Sequence, residues 1–399
     1  MKSEFIHLHN HSDNSLLDGA QNVPSVLETI TDLGMDSVAL TEHGNLFGAV
    51  SFYKKAKDKN IKPIIGCEVY VAKGSRFQKD RSSGMGQYNH LVLIAQNYQG
   101  YKNLMKIVTH GYLEGFYYKP RVDTEILQKY NEGIICLSAC LKGILPETLI
   151  YNGLEAGKKV AEEYSSIFPG RYYIELQNHG IPEELQNIQL ATKLAKEMNL
   201  PIIATNDAHY AKKEHYKAHD VHICIGTGKH LSDKNRLKYP GNEFYFKSQD
   251  EMFSLFKQFP EALENTRALT DSVDLEIPME DYHLPWYSIP GDKKSKDVDE
   301  YLKTLCSTGL KNKYENKPAT KHLLPPIPST FLGEQTHSIA HQSTARTLSF
   351  SSPAFQHRLL VFLSATHHYQ DQLAKPLKGD SSHKTVLPKK INHCMRFSR

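Results

Sequence analysis

The chain of 399 residues has few cysteines, and none is arranged for cross-linking. Cys67, Cys136, Cys140, Cys224, Cys306 and Cys394 form no C-x-x-C pair and no disulfide-like spacing. That excludes a disulfide scaffold and fits a reduced, cytoplasmic compartment. Long apolar runs are also missing. The longest late one, Leu359 to Ala365, is far too short to span a bilayer, so no membrane partner is expected. The first strand begins by Phe5, which leaves no room for a signal peptide. A net charge of +4 is too small to imply a nucleic-acid partner by charge alone.

What the chain does have is histidine, and the informative ones end short runs of β-formers. Those runs are Phe5-Ile6-His7-Leu8-His9, Ala39-Leu40-Thr41-Glu42-His43-Gly44, Ile65-Gly66-Cys67-Glu68 and Ala204-Thr205-Asn206-Asp207-Ala208-His209. Residues i and i+2 of a strand share a face, so His7 projects with His9, and Asp207 with His209. A lone histidine at a strand end is usually a satisfied core or surface residue. An H-x-H and a D-x-H at strand ends of one chain point instead to a metal site of mixed nitrogen and oxygen ligands.

Seven strand candidates alternate with helices up to about residue 210: 5–9, 37–41, 63–71, 90–95, 133–138, 172–176 and 201–205. Asn22 and Pro24 open a helix, Val26, Leu27, Ile30 and Leu33 give it an apolar stripe, and Gly34 ends it. Leu185, Ile188, Ala195 and Met198 do the same before the last strand. The alternation implies a parallel sheet or a βα barrel. Ligands on the first and last strands meet only if the sheet closes, so the expected fold is a seven-stranded α/β barrel with its site at the mouth. Reading strand ends in order adds Asp18, His43, Glu68, His90 and Cys140 to the candidates. A buried cysteine such as Cys140 is more often a small hydrophobe than a ligand.

Beyond the barrel, residues 215–225 read as a helix and 242–247 as a short strand. Ser248 to Glu251 forms a capping box, and 296–313 has helical spacing. From Pro318 onward only Glu334, Asp371 and Asp380 are acidic, and no period persists. Such a segment cannot bury enough apolar surface to fold. The expected division is 1–230 for the barrel, 231–316 for a partial α-rich segment, and 317–399 for a disordered or frame-shifted tail.

Several runs resemble a known family. They are Phe5-Ile6-His7-Leu8-His9-Asn10-His11-Ser12, Ser15-Leu16-Leu17-Asp18-Gly19 and Thr41-Glu42-His43-Gly44-Asn45-Leu46-Phe47-Gly48-Ala49-Val50. Together they are similar to the PHP (polymerase and histidinol phosphatase) domain. Gly115 to Asp123, Ala204 to Tyr210 and Asn242 to Lys247 narrow the resemblance to the N-terminal region of bacterial DNA polymerase III alpha subunits, over about residues 3–316. The resemblance implies a distorted seven-stranded barrel holding two or three divalent ions, Zn or Mn. It places ligands on His7, His9, Asp18, His43, Glu68, His90, Cys140, Asp207 and His209, and gives His11 no ligand role. It also implies DNA as partner, with a polymerase module, a sliding clamp and other replisome subunits in the full-length family. No glycine-rich nucleotide stretch and no D-x-D pair follow Asn316, so polymerisation is not expected of this chain.

The function expected on this basis is metal-dependent phosphoester hydrolysis, as a 3′–5′ exonuclease on DNA. Glu68 would bridge ions, and Asp207 and His209 would complete the catalytic set. Lys119 and Arg121 are candidates to contact substrate phosphates, although loop cations are more often only solvated. The alternatives are a non-catalytic, metal-braced scaffold that docks replication partners, and a small-molecule phosphatase of the same fold.

Overall fold

The computed structural model describes residues 3–16, 18–80, 88–279, 289 and 298–314. The proposed tail, 317–399, lies outside the described residues. Two compact units divide between Tyr282 and His283. Of the second, the described helix is Val298–Tyr314, which falls where the spacing places one.

The first unit runs α1 (Val23–Asp32), β1 (Ser37–His43), α2 (Ala49–Asp58), β2 (Lys62–Ala72), β3 (Tyr88–Ala95) and α3 (Tyr98–Leu113). A small hairpin, β4 (Phe116–Tyr117) and β5 (Lys119–Val122), precedes α4 (Thr124–Lys129) and β6 (Ile134–Leu137). Then come α5 (Ile144–Asn152), α6 (Leu154–Ile167), β7 (Tyr172–Leu176), α7 (Pro182–Met198) and β8 (Ile202–Ala204). The last three helices of the unit are α8 (Tyr216–Thr227), α9 (Gln249–Leu255) and α10 (Pro260–Ser272). Among the described residues no helix is long and apolar enough to cross a membrane.

The sheet curls into a barrel. β1 pairs β2, β2 pairs β3, β3 pairs β6, β6 pairs β7 and β7 pairs β8. Residues 5–11 complete the ring at the mouth, as an extended segment rather than a regular ladder strand. On one side the His7 carbonyl accepts from Ala39 N at 2.9 Å and the Asn10 carbonyl from Thr41 N at 3.0 Å. On the other, the His9 carbonyl accepts from Ala208 N at 3.3 Å, and His11 N donates to the Ala208 carbonyl at 2.9 Å. At the bottom of the barrel the ladder gives way to side chains. Phe5 N donates to Gln249 Oε1 and Ile6 N to Thr266 Oγ1, on α9 and α10. Every buried donor must be satisfied, and here helices do it in place of a strand.

The seven-member α/β barrel expected from the alternation is present, with one correction: the sheet is mixed. β3 runs antiparallel to both β2 and β6. In sequence the connection from Ala72 to Tyr88 carries no apolar helical stripe of the kind a parallel crossover usually supplies. The core spans the whole unit, from Phe5 and Ile6 to Phe246, Met252, Leu263 and Leu269, all buried. Asn22 caps α1 by accepting from Ser25 N, and Val26, Leu27 and Ile30 are buried, as the stripe requires. Ser248 and Glu251 form the capping box of α9. In α7 the buried stripe is Ile188, Ala191, Leu194 and Ala195, while Leu185 faces solvent. Residues 242–247 form an isolated bridge, Tyr210 to Tyr245, and not a strand.

Candidate metal centre

The parallel strands β1, β2, β6, β7 and β8 point their C-terminal ends at one mouth. Because β3 is reversed, it contributes from its start. The register sets His43 of β1 beside Glu68 of β2. His90 comes from the start of β3, and Cys140 follows β6 after Ala139, whose φ is +64°. Asp207 itself sits at φ +44°. Non-glycine residues in left-handed conformations cost free energy and tend to mark functional turns. Asp18 arrives on a loop closed tightly at Gly19, where a Cβ would lie 1.7 Å from the Ser12 carbonyl oxygen.

Around Glu68 the polar atoms converge. His43 Nδ1 is 2.6 Å from Glu68 Oε2, and His90 Nδ1 is 2.8 Å from Glu68 Oε1. His9 Nε2 lies 3.5 Å from Glu68 Oε1 and 3.4 Å from Asp207 Oδ1. His11 Nε2 lies 3.5 Å from Glu68 Oε2 and 3.2 Å from Asp207 Oδ1. Asp18 Oδ1 is 3.3 Å from His43 Nε2, and Asp18 Oδ2 is 3.9 Å from His209 Nε2. Cys140 Sγ stands at the edge, 3.8 Å from both Glu68 Oε1 and His90 Nδ1. Three groups have donor atoms close enough together to share an ion: His9, His11 and Asp207; His11, His43 and His209; His43, Glu68 and His90.

One expected ligand, His7, lies away from these groups, and His11, given no ligand role, stands in two of them. His7 is buried below the cluster, where its Nε2 meets the Lys247 carbonyl at 2.9 Å. Its ring packs edge-on against Phe5 and Phe246. The H-x-H pair that reaches the mouth is His9 and His11. Strand parity alone could not decide this, because His7, His9 and His11 all share one parity. Depth along the barrel decides it, since only the last two clear the layer of core side chains.

The substrate-phosphate candidates also part company. Arg121 is fully buried, and its guanidinium donates to the carbonyls of Gly115, Arg76 and Gln78. It serves the fold and is not presented to a ligand. Lys119 stays near the mouth, with Nζ 5.1 Å from the centre of the Tyr70 ring. That ring is stacked against His43 at 6.0 Å.

Outer partners fix the ring orientations. His9 Nδ1 is 2.7 Å from Glu175 Oε1, which also accepts from Gln177 and Thr205. Tyr239 Oη is 3.0 Å from His209 Nε2 and donates to Asp18 Oδ2 at 3.2 Å. The sequence reading passed over Glu175, Gln177 and Tyr239. Glu175 had a legible signal, a single acid in the buried run Tyr172–Leu176. Tyr239 had none, because it lies in an irregular stretch.

Burial opposes charge throughout, yet the cluster holds it. For Glu68, the neighbouring His90, His43 and His9 outweigh burial and keep the carboxyl well below its ordinary range. Asp18 and Asp207 are held low in the same way, mainly by His43 and by His9 respectively. His9 and His43 are raised despite burial, His9 by Asp207, Glu175 and Glu68, and His43 by Asp18 and Glu68. Burial, with His43 and His209 nearby, pushes His11 down to about 3. Burial also pushes the Cys140 thiol up.

The donor set fits divalent ions. His9 Nε2, His11 Nε2, Asp18 Oδ1, His43 Nδ1, Glu68 Oε2 and Asp207 Oδ1 are all buried without a well-aligned hydrogen bond, close as His43 Nδ1 and Glu68 Oε2 are. Unsatisfied buried polar atoms are rare and costly. Six at one mouth, on imidazoles and carboxylates, is the donor pattern of a nitrogen/oxygen metal centre.

Comparisons with known proteins agree with this arrangement. The family model for the PHP domain matches residues 7–179. The DNA polymerase III subunit alpha of Borreliella burgdorferi is 46% identical over 316 residues, covering 79% of this chain and 27% of that protein. Those of Treponema pallidum and Thermus aquaticus are 43% and 39% identical, covering 78% and 79% of this chain and 27% and 26% of theirs. The chain thus spans about a quarter of the length of these relatives. It carries a PHP domain of the kind that bacterial DNA polymerase III alpha subunits contain.

Proposed function

We propose that the barrel mouth is a metal-dependent phosphoesterase site that removes nucleotides from the 3′ end of DNA. The observation that carries the reading is the gathering of six unpartnered buried donor atoms at one mouth, with His9, His11 and His43 set against the Glu68 carboxylate. Two or three ions, Zn or Mn, fit the donor types, and the nearby thiol of Cys140 favours these softer ions over Mg. His9, His11, Glu68 and Asp207 would hold one position, and Asp18, His43 and His209 another. Glu68, His90 and Cys140 would hold a third.

Bound ions would supply a water of lowered pKa and neutralise charge on the scissile phosphate. The chain's own contribution is to fix the geometry. Glu175 and Tyr239 hold the rings of His9 and His209, the left-handed turn at Asp207 aims its carboxylate, and Lys119 adds a cation at the rim. In a longer relative the site would act on DNA beside a polymerase module, a sliding clamp and other replisome subunits.

The test is hydrolysis of a 3′-labelled primer with Zn or Mn, alongside metal analysis. Wild type should hydrolyse and Asp207→Ala should not. A wild type that binds metal but never turns over would favour the braced scaffold, and turnover of phosphomonoesters alone would favour the phosphatase.

A further inference from the structure

Glu42 contributes no atom to the cluster, yet it is buried at 1% exposure beside it. Its carboxylate accepts from Ser12 N at 3.0 Å, from the Ser12 hydroxyl, and from Ser15 Oγ at 2.5 Å. Ser15 Oγ has two further partners, His43 N at 3.0 Å and His11 Nδ1 at 3.0 Å.

Burial raises the Glu42 carboxyl and the donors of Ser12 and Ser15 oppose it; with Glu42 ionised, counting protons settles who donates. A hydroxyl carries one proton and two lone pairs, an ionised carboxylate only accepts, and a backbone amide only donates. Ser15 therefore accepts from His43 N and spends its proton on Glu42. The remaining contact requires His11 Nδ1 to be the donor. A neutral imidazole with its proton on Nδ1 has a free lone pair on Nε2. That Nε2 is the atom 3.2 Å from Asp207 Oδ1, buried and unpartnered.

We infer that Glu42 is a positioning residue which, through Ser15, locks His11 in the tautomer whose Nε2 can ligate a metal. Partners of this kind usually govern metal affinity as well as ring orientation. The ligand half of the inference rests on the metal-centre reading, whereas the tautomer half does not.

The experiment uses nitrogen-15 histidine labelling of the metal-free chain, with the His11 signals assigned by their loss in His11→Gln. Wild type should show His11 protonated on Nδ1. In Glu42→Gln the amide oxygen can stay with Ser12 while its NH₂ donates to Ser15. The hydroxyl proton then turns to His11 Nδ1, and the ring should switch to the Nε2–H form. Zn or Mn affinity should fall about 10–100-fold in that variant. Ser15→Thr keeps the hydroxyl and should keep both tautomer and affinity. Thermal melts confirm that each variant is folded. Wild-type His11 in the Nε2–H form overturns the inference, as does a folded Glu42→Gln that keeps both the Nδ1–H form and full affinity. A switch between wild type and Glu42→Gln by NMR, with no metal bound by wild type, overturns the metal-centre reading and leaves the tautomer lock standing.

Discussion

His7 and His11 are four residues apart, and their variants separate stability from metal binding. His7 lies between aromatic edges with Nε2 on a carbonyl. His7→Ala should retain bound metal and lose about 2–4 kcal/mol of stability through the cavity it leaves. His11→Ala should do the reverse, losing metal while the metal-free protein stays folded. Metal analysis and urea titration of the two variants check this, and equal metal loss in both would return His7 to the ligand set. His7 also gives a pH signature. Burial pushes it down to about 4, against about 6.5 in an unfolded chain. Stability contributed by its neutral form is complete above 6.5. It is lost as pH falls toward 4, because the unfolded chain takes up a proton that the folded one refuses. That loss should reach about 3 kcal/mol. His7→Phe, which keeps a ring between Phe5 and Phe246, should flatten the metal-free stability–pH curve by about one proton in that window. His11 and His219, also lowered by burial, remain to give the residual slope. At this scale the sequence revealed ligand types and strand ends but not depth. Local spacing says which side of a strand a residue faces, not how far up the barrel it stands.

Elements were more legible than their directions. Buried strands such as Lys62–Ala72 and Tyr172–Leu176 announce themselves as short runs of β-formers. Caps are equally local, as at Asn22 and Ser248. Asn22→Ala should cost about 1 kcal/mol in urea titration, with metal content unchanged. A loss of metal would mean that α1 positions the Asp18 loop as well as packing on the barrel. The direction of β3 is set against its neighbours β2 and β6, and its own run of β-formers reads the same either way; the one local sign is the missing apolar stripe between Ala72 and Tyr88. The β4–β5 hairpin was missed because its strands are two and four residues long. Its Lys119-Pro120-Arg121 run reads as a basic loop. Only the tertiary structure shows Arg121 turned inward, onto three carbonyls.

For the whole molecule, bound ions should act as ligands of the native state alone. With free metal at a hundred times its dissociation constant, one site adds about 2.7 kcal/mol. Chelation should therefore lower the melting temperature of wild type by several degrees and that of Asp207→Ala by less, because that variant keeps only the positions that Asp207 does not serve. If both fall equally, chelation is acting elsewhere.

The extended segment that closes the barrel also imposes an order in time. His9 and His11 leave the ribosome about 200 residues before Asp207 and His209. At ordinary synthesis rates that interval is about 10–40 s. During it no stretch of nascent chain holds the full donor set. The group His43, Glu68 and His90 is complete by then, whereas the positions that need Asp207 or His209 can load only as a late step, after the last strand has met the first.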